Sequence, residues 1–156
     1  MGWVKGESMS VYKSKRGESP MQFVQTAWEL EDHTFTCLLK VPKRYTFLLS
    51  THIMNLAREV YDCVNAANNI WPTNEKEVQD RRDLLTRANN ALQNMDRRID
   101  TLYRQIKKNP QGYEWIDNAV KRWAILMADE ARLISAVKKA DRQRYKNMQK
   151  ENEEIQ

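Results

Sequence analysis

The stretch that decides the fold is residues 75–107, EKEVQDRRDLLTRANNALQNMDRRIDTLYRQIK. Its apolar side chains alternate spacings of three and four residues, the heptad pattern of a helix that packs along one face. Asn74, with Glu77 three positions later, predicts an N-terminal cap. We therefore expect one helix over 75–107, about 50 Å long at ~1.5 Å per residue. The expected seam is Leu85, Ala88, Leu92, Met95, Ile99, Leu102 and Ile106.

Proline positions divide the rest of the chain into three further helices. Proline is tolerated at the start of a helix and poorly inside one. Ser19, with Gln22 three positions later, predicts a capped first helix that runs to about Lys40. Its apolar stripe is interrupted at Glu31. The prolines are Pro20, Pro42, Pro72 and Pro110, and the stripe is Val24, Ala27/Trp28, Phe35 and Leu38/Leu39.

Two more periodic segments complete the set. One covers about 43–70, and the other follows Gly112 and ends near Tyr145. Glu130 and Asp141 interrupt the apolar stripe of the last segment. Each pattern predicts an amphipathic helix. The stripes are Phe47/Leu48, Ile53, Leu56/Ala57, Val60, Val64, Ala67 and Ile70 in the second helix, and Ile116, Val120, Trp123, Met127, Ile134 and Val137 in the fourth.

Four amphipathic helices joined by short loops predict an all-α chain, packed most simply as an up-down-up-down four-helix bundle. We expect a flexible N-terminal arm over 1–18, the bundle over 19–145 and a polar, frayed tail over 146–156. A set of helical-hairpin repeats is the alternative, but no internal sequence period supports it. With only four Gly and four Pro, β-sandwiches and Gly-rich phosphate-binding folds are disfavoured.

The sequence also bears on location and redox state. It contains no run of about 18 apolar residues, so we expect no transmembrane helix and no membrane partner. The N-terminus has no apolar segment of the kind found in signal peptides, which makes a cytoplasmic location the expectation. Two cysteines do not amount to a disulfide framework.

Motifs that carry catalysis are missing from the sequence. It has no nucleophile elbow, P-loop, dinucleotide fingerprint or Glu-x-x-His motif. His33 and Cys37 lie four residues apart and can share a helix face. His52 and Cys63, however, would lie about 16 Å apart along one helix, too far to bind one ion. We therefore predict no enzymatic activity, no metal ion and no cofactor.

The charge distribution favours an acidic partner such as RNA or DNA. The net charge is +5, with eight basic and seven acidic residues before Glu75 and eighteen against fourteen from Glu75 onward. A basic face attracts phosphate backbones without reading sequence. Solvated helix faces with intrahelical ion pairs produce the same composition, and self-association competes for the same surfaces. The candidate contacts on the third and fourth helices are Arg87, Arg97, Arg98, Arg104, Lys107, Lys108, Lys121 and Arg122.

Four short segments carry a resemblance to a known family. The chain resembles the accessory variability determinant proteins of diversity-generating retroelements, which are encoded beside reverse transcriptases. The wider family includes proteins encoded within 23S rRNA intervening sequences, where a Phe-Pro-Lys-like break divides the first helical hairpin; here Val41 replaces that Phe. The likeness covers about 10–108, and the fourth helix by pattern. The segments are KRGESPMQF (15–23), PKRYTF (42–47), PTN (72–74) and RRDLLT (81–86).

The resemblance implies a non-enzymatic accessory protein that assembles into a basic pentamer. Such a protein binds the reverse transcriptase of its element, together with RNA and DNA, during mutagenic retrohoming. It implies partner or phosphate contacts at Lys43, Arg44, Arg81 and Arg82. Arg81 also falls on the heptad stripe, so an interhelical or intersubunit ion pair is its alternative role. The alternative for the whole chain is a structural or protein-interaction bundle of the intervening-sequence type that does not contact nucleic acid.

Overall fold

A computed structural model describes residues 20–109 and 113–155 of the 156-residue chain. Over these two ranges there is no strand, so the prediction of an all-α chain is confirmed. The arm predicted at 1–18, the cap at Ser19 and the break at 110–112 lie outside the described residues. Within those ranges, no helix is long and apolar enough to cross a membrane. The helices are α1 (Pro20–Leu38), α2 (Thr51–Asn68), α3 (Glu75–Lys107) and α4 (Trp115–Ile155).

Each α-helix packs mainly against two others. α1 contacts α2 and α4, and α3 contacts the same two helices. Side-chain contacts give the relative direction of α3 and α4, because Arg81 bonds to Asp141 near one end and Tyr103 bonds to Asp117 near the other. These two helices therefore run antiparallel, and all four contribute to one apolar core.

α3 begins and ends where the sequence predicts. Asn74 Oδ1 accepts a hydrogen bond from the Glu77 N–H at 2.9 Å, and the Asn74 amide donates to the Glu77 carboxylate at 2.7 Å. This cap satisfies a backbone donor that has no partner within the helix. All seven residues of the expected seam are buried. The predicted helix and its buried face are therefore confirmed.

α1 buries the predicted face only in part: Ala27 is buried and Val24 and Leu38 pack against the core, but Leu39 is 73% exposed. Its buried residues include the polar Thr34, whose hydroxyl donates to Leu30 O at 2.7 Å and accepts from Trp123 Nε1 at 2.9 Å. Because Thr34 holds the core position, its neighbour Phe35 points outward and is 52% exposed. Trp28 is 46% exposed, so its assignment to the core is wrong. The buried face is Phe23, Ala27, Leu30, Thr34 and Cys37.

The start of the second helix also differs from the prediction. The chain does not form one continuous α-helix over 43–70, because a 3-10 turn and a π-helical turn come first. The π turn changes the register of the side chains. Phe47 and Leu48 are 94% and 76% exposed, whereas Leu49 is buried. The assignment of Phe47 and Leu48 to the core is therefore wrong. The pieces are Lys43–Tyr45, Thr46–Ser50 and then α2.

α4 is the longest helix and carries two buried acids. Trp123 is fully buried, as its stripe predicts. Glu130 and Asp141, which interrupt that stripe in the sequence, are buried as well. The helix passes the expected end at Tyr145 and continues through the polar tail to Ile155. Lys, Gln and Glu are good helix formers, so this mostly exposed tail continues the helical path without a buried face.

Candidate nucleic-acid interface

Eight of the candidate contact residues occur as consecutive pairs on α3, at its C-terminal end or on α4. Consecutive side chains point about 100° apart around a helix axis, so they do not share one surface equally. In three of the pairs, one residue contacts a neighbouring helix and the other faces solvent. These three are Arg81/Arg82, Lys107/Lys108 and Lys121/Arg122, while Arg97 and Arg98 are both exposed.

Arg81 forms an ion pair between two helices and does not lie on the surface. The residue is 9% exposed, and its guanidinium bonds to both carboxylate oxygens of Asp141, at 2.9 and 3.3 Å. The same group donates to the carbonyls of Ala67 and Ile70 at the end of α2, at 3.0 and 2.9 Å. With its donors used in this way, Arg81 cannot reach a phosphate. Its predicted partner contact is corrected, and the alternative of an interhelical ion pair is confirmed.

Lys107 is held by a carboxylate on α4. Its Nζ lies 2.8 Å from Asp117 Oδ2, and Tyr103 donates to the other Asp117 oxygen at 2.7 Å. These two hydrogen bonds, that of Lys107 first, lower the pKa of Asp117. The pKa of Lys107 is raised by the same contact. Lys108, next in sequence, is exposed and bonds to Gln105 at 3.4 Å.

Three other predicted contacts make exposed ion pairs. The longest of these contacts is Arg122 to Glu29 of α1, at 3.8 Å. Ion pairs of this kind contribute little to stability, so the arginines can exchange them for a phosphate at small cost. These residues stay available to an acidic partner. The other two pairs are Arg87 with Glu59 at 3.5 Å and Arg104 with Asp100 at 3.2 Å.

The remaining predicted contacts are exposed and make no ion pair with any residue in the described ranges. Arg44 is the one among them that stacks on an aromatic ring, with its guanidinium carbon 4.9 Å from the centre of the Tyr45 ring. Uncompensated cations on a surface are the groups that a phosphate backbone attracts. The set is Lys43, Arg44, Arg82, Arg97, Arg98 and Lys121.

The structure reveals a basic cluster that the sequence analysis does not single out. Arg82 of α3 lies beside Lys138 and Arg142 of α4, and all three line one cavity of about 120 Å³. Lys138 Nζ contacts Thr86 Oγ1 at 2.9 Å, which fixes it against α3. Burial lowers the pKa of Lys138, and the charges of Arg82 and Arg142 lower it further. The available signal was the spacing of four between the two α4 residues, which places them on one face.

Histidine and cysteine side chains do not assemble a metal site. His33 Nε2 lies 3.0 Å from the Ala119 carbonyl oxygen, and Cys37 Sγ contacts the same ring at 3.5 Å. Burial raises the pKa of the Cys37 thiol to about 11 and lowers that of His33. These side chains join α1 to α4. Among the described residues, no three His, Cys, Asp or Glu side chains are grouped as metal ligands.

A second surface is apolar. We call Trp28, Phe35, Leu39, Phe47 and Leu48 the apolar stripe; all five large side chains are exposed, the first three on or directly after α1 and the last two in the π turn before α2. Exposed apolar groups gathered in this way mark surfaces that bind other proteins. The acids Glu31 and Asp32 lie among the first three in sequence. Because Glu31 and Asp32 follow Trp28 by three and four residues, they lie on the same face of α1 as Trp28.

Comparison of the chain with protein-family models, with curated proteins and with solved structures finds no match in any of the three. The resemblance to retroelement accessory proteins therefore stays a hypothesis. The function is argued below from the surfaces of this chain.

Proposed function

We propose that this chain is a non-enzymatic accessory protein that binds RNA or DNA through the basic outer sides of α3 and α4. The observation that carries the proposal is the set of exposed arginines and lysines with no ion pair in the described ranges, of which Arg82, Arg97 and Arg98 lie on α3. Binding would release counterions from the phosphate backbone and would not depend on base sequence.

The length of α3 supports this proposal. Its 33 residues span about 50 Å at ~1.5 Å per residue. One turn of duplex DNA occupies about 34–36 Å, so a duplex lying along α3 would pass basic side chains over more than one turn. Arg82 and Arg97 stand about 22 Å apart along the helix axis. The two residues would therefore contact different phosphates.

We further propose an up-down-up-down bundle that acts as a homo-oligomer in the cytoplasm. The apolar stripe supports association, and its neighbours Glu31 and Asp32 complement basic residues such as Lys121 on the outer side of α4. A contact between two different surfaces of like copies closes into a ring when the rotation allows it. Two further parts of the proposal rest on the resemblance to retroelement accessory proteins. They are a pentameric ring and a reverse transcriptase as the protein partner in mutagenic retrohoming.

Fluorescence anisotropy tests the nucleic-acid part of the proposal. Labelled RNA and DNA duplexes are titrated with the folded protein at about 50 and 200 mM salt. We expect binding that weakens steeply with salt, because each phosphate contact contributes about −0.9 to the logarithmic salt slope. Absence of salt-sensitive binding by a folded sample would refute the proposal.

A matched pair of variants locates the surface. Arg97→Gln/Arg98→Gln removes two charges from the outer side of α3, while Lys40→Gln/Arg58→Gln removes two exposed charges that lie on neither α3 nor α4. We expect the first variant to bind RNA more weakly and with a shallower salt slope than the second. Equal loss in both would point to net charge rather than to this surface.

The apolar stripe favours a second candidate, a protein-interaction bundle of the intervening-sequence type that does not contact nucleic acid. Genomic context separates the two candidates. A neighbouring reverse transcriptase gene with a paired template and variable repeat supports the accessory protein. A position inside an rRNA operon supports the second candidate.

A further inference from the structure

We infer that Arg82, Lys138 and Arg142 form a phosphate-binding site between α3 and α4. The inference deepens the proposed function and rests on it in one respect, the source of the phosphate group. The chemistry of the site follows from the three cations themselves. The site takes one phosphate group, which either a nucleic-acid backbone or a free phosphate compound can supply.

The cluster is assembled by the antiparallel packing of two helices. Lys138 and Arg142 are one turn apart on α4, and Arg82 lies on α3 one turn before Thr86. The hydrogen bond of 2.9 Å between Lys138 Nζ and Thr86 Oγ1 fixes the lysine across the gap between the helices. The cavity that all three line, about 120 Å³, is several times the ~30 Å³ that one water occupies in the liquid.

Three cations and two carboxylates line the cavity. Within the described ranges, none of the three makes an ion pair. Asp141, which also lines the cavity, is already bound by Arg81 at 2.9 Å and lies 3.8 Å from Arg144. Glu75 is a second carboxylate of the lining, and burial, followed by the contact with Glu75, raises the pKa of Tyr145.

The surroundings of Lys138, the central residue of the cluster, disfavour its charged form. The pKa of Lys138 is lowered by burial and by the neighbouring guanidinium groups. Three neighbouring cations that make no ion pair within the described ranges repel one another, and a bound anion would offset that repulsion. The charged groups that face Lys138 are therefore arranged to favour a negatively charged ligand.

The mixture of groups selects phosphate over a simple halide. A guanidinium presents a planar fork that bonds two oxygens of one group, while the lysine ammonium acts as a compact point charge. A tetrahedral phosphate has enough oxygens to accept hydrogen bonds from two arginines and a lysine at once. A divalent metal ion is disfavoured there because three cations would repel it.

The test uses the full chain with inorganic phosphate as the probe. Side-chain nitrogen NMR follows the pKa of Lys138, and calorimetry follows binding at constant ionic strength against chloride. We expect saturable binding and an upward shift of the Lys138 pKa. Lys138→Gln and Arg142→Gln should each weaken phosphate binding about tenfold or more, because a hydrogen bond to a charged group is lost.

Matched controls come from the same helix. Lys139→Gln and Lys146→Gln each remove one exposed charge outside the cavity lining, and both should bind phosphate like the parent. Lys138→Arg keeps the charge and should retain most of the binding. Circular dichroism checks that each variant is folded. Absence of saturable phosphate binding in the parent, or equal weakening in the controls, would overturn the inference.

Anisotropy with single-stranded RNA on the same proteins identifies the source. Weaker RNA binding by Lys138→Gln and Arg142→Gln, but not by the controls, supports a nucleic-acid phosphate. Phosphate binding without any RNA binding by the parent supports the site with a free phosphate compound and refutes the proposed function. RNA binding by the parent without phosphate binding refutes the site and leaves the proposed function standing.

Discussion

Among single residues, Glu130 has the least favourable environment. The side chain is fully buried in α4, and neither carboxylate oxygen has a hydrogen-bond partner in the described part of the chain. Burial, and to a smaller extent the charge of Asp129, raises the pKa of Glu130 from 4.5 to about 9. The carboxyl is therefore protonated in the folded protein at neutral pH, since an ionised group would be left without solvent or partner.

This environment predicts a pH-dependent stability. Below pH 4.5 both the folded and the unfolded chain carry the proton, so Glu130 adds no pH dependence to the stability there. Between pH 4.5 and about 9 the unfolded chain has lost the proton while the folded chain keeps it. The free energy of unfolding should therefore fall by about 1.4 kcal/mol per pH unit over that window, which is a loss of roughly 3 kcal/mol at pH 7.

The variant Glu130→Gln tests the assignment because glutamine has nearly the same shape and does not titrate. Urea unfolding at pH 5, 7 and 9 should show a much flatter pH dependence for the variant than for the parent. Glu130→Met serves as a second variant without polar side-chain atoms. Parallel pH profiles for parent and variants would show that Glu130 is ionised in the folded state.

At the scale of elements, the sequence predicts best where local and tertiary preferences agree. α3 has a cap, a continuous heptad and a proline before its start, so its ends and buried face follow from the sequence. α1 has conflicting signals, because Phe35 is apolar and exposed while Thr34 is polar and buried. The burial of Thr34 depends on Trp123, which is distant in sequence, so no local pattern reveals it.

The link between Thr34 and Trp123 can be tested directly. Thr34→Val keeps the shape of the side chain but removes the acceptor for the buried Trp123 N–H. Leaving that donor unsatisfied should destabilise the protein by about 1–3 kcal/mol. Thr34→Ser is the matched control, since it keeps the hydroxyl and loses one methyl group. Chemical denaturation should place Thr34→Ser closer to the parent, and the reverse order would contradict this role.

In the candidate site, too, the contacts between helices cannot be predicted from the sequence. The sequence indicates that α3 and α4 are basic, but it does not show which cations meet. Arg82 and Lys138 come together only because the two helices are antiparallel and in one register. Arg81, one residue before Arg82, is buried because it forms an ion pair with Asp141, which is distant in sequence. The basic character of both helices is predictable from the sequence, whereas the membership and the geometry of the cluster depend on tertiary packing.

For the whole molecule, the distribution of surface groups argues for association. The apolar stripe exposes five large side chains of a chain whose core is otherwise well filled. Exposed apolar groups in such numbers favour burial against another surface. The acids Glu31 and Asp32 near the stripe match the basic outer side of α4, so two copies present complementary faces.

Sedimentation velocity tests this association. We expect the parent chain to sediment as an oligomer, and Phe35→Glu to shift it toward the monomer, because a charge placed in the stripe would be buried without a partner. Ile155→Glu is the matched control, since Ile155 is also an exposed apolar residue, at 83%, but lies at the end of α4 away from α1. The control should keep the oligomer, and both variants should keep the helical circular dichroism of the parent. A monomeric parent at all concentrations would contradict both the association and the pentamer that the resemblance implies.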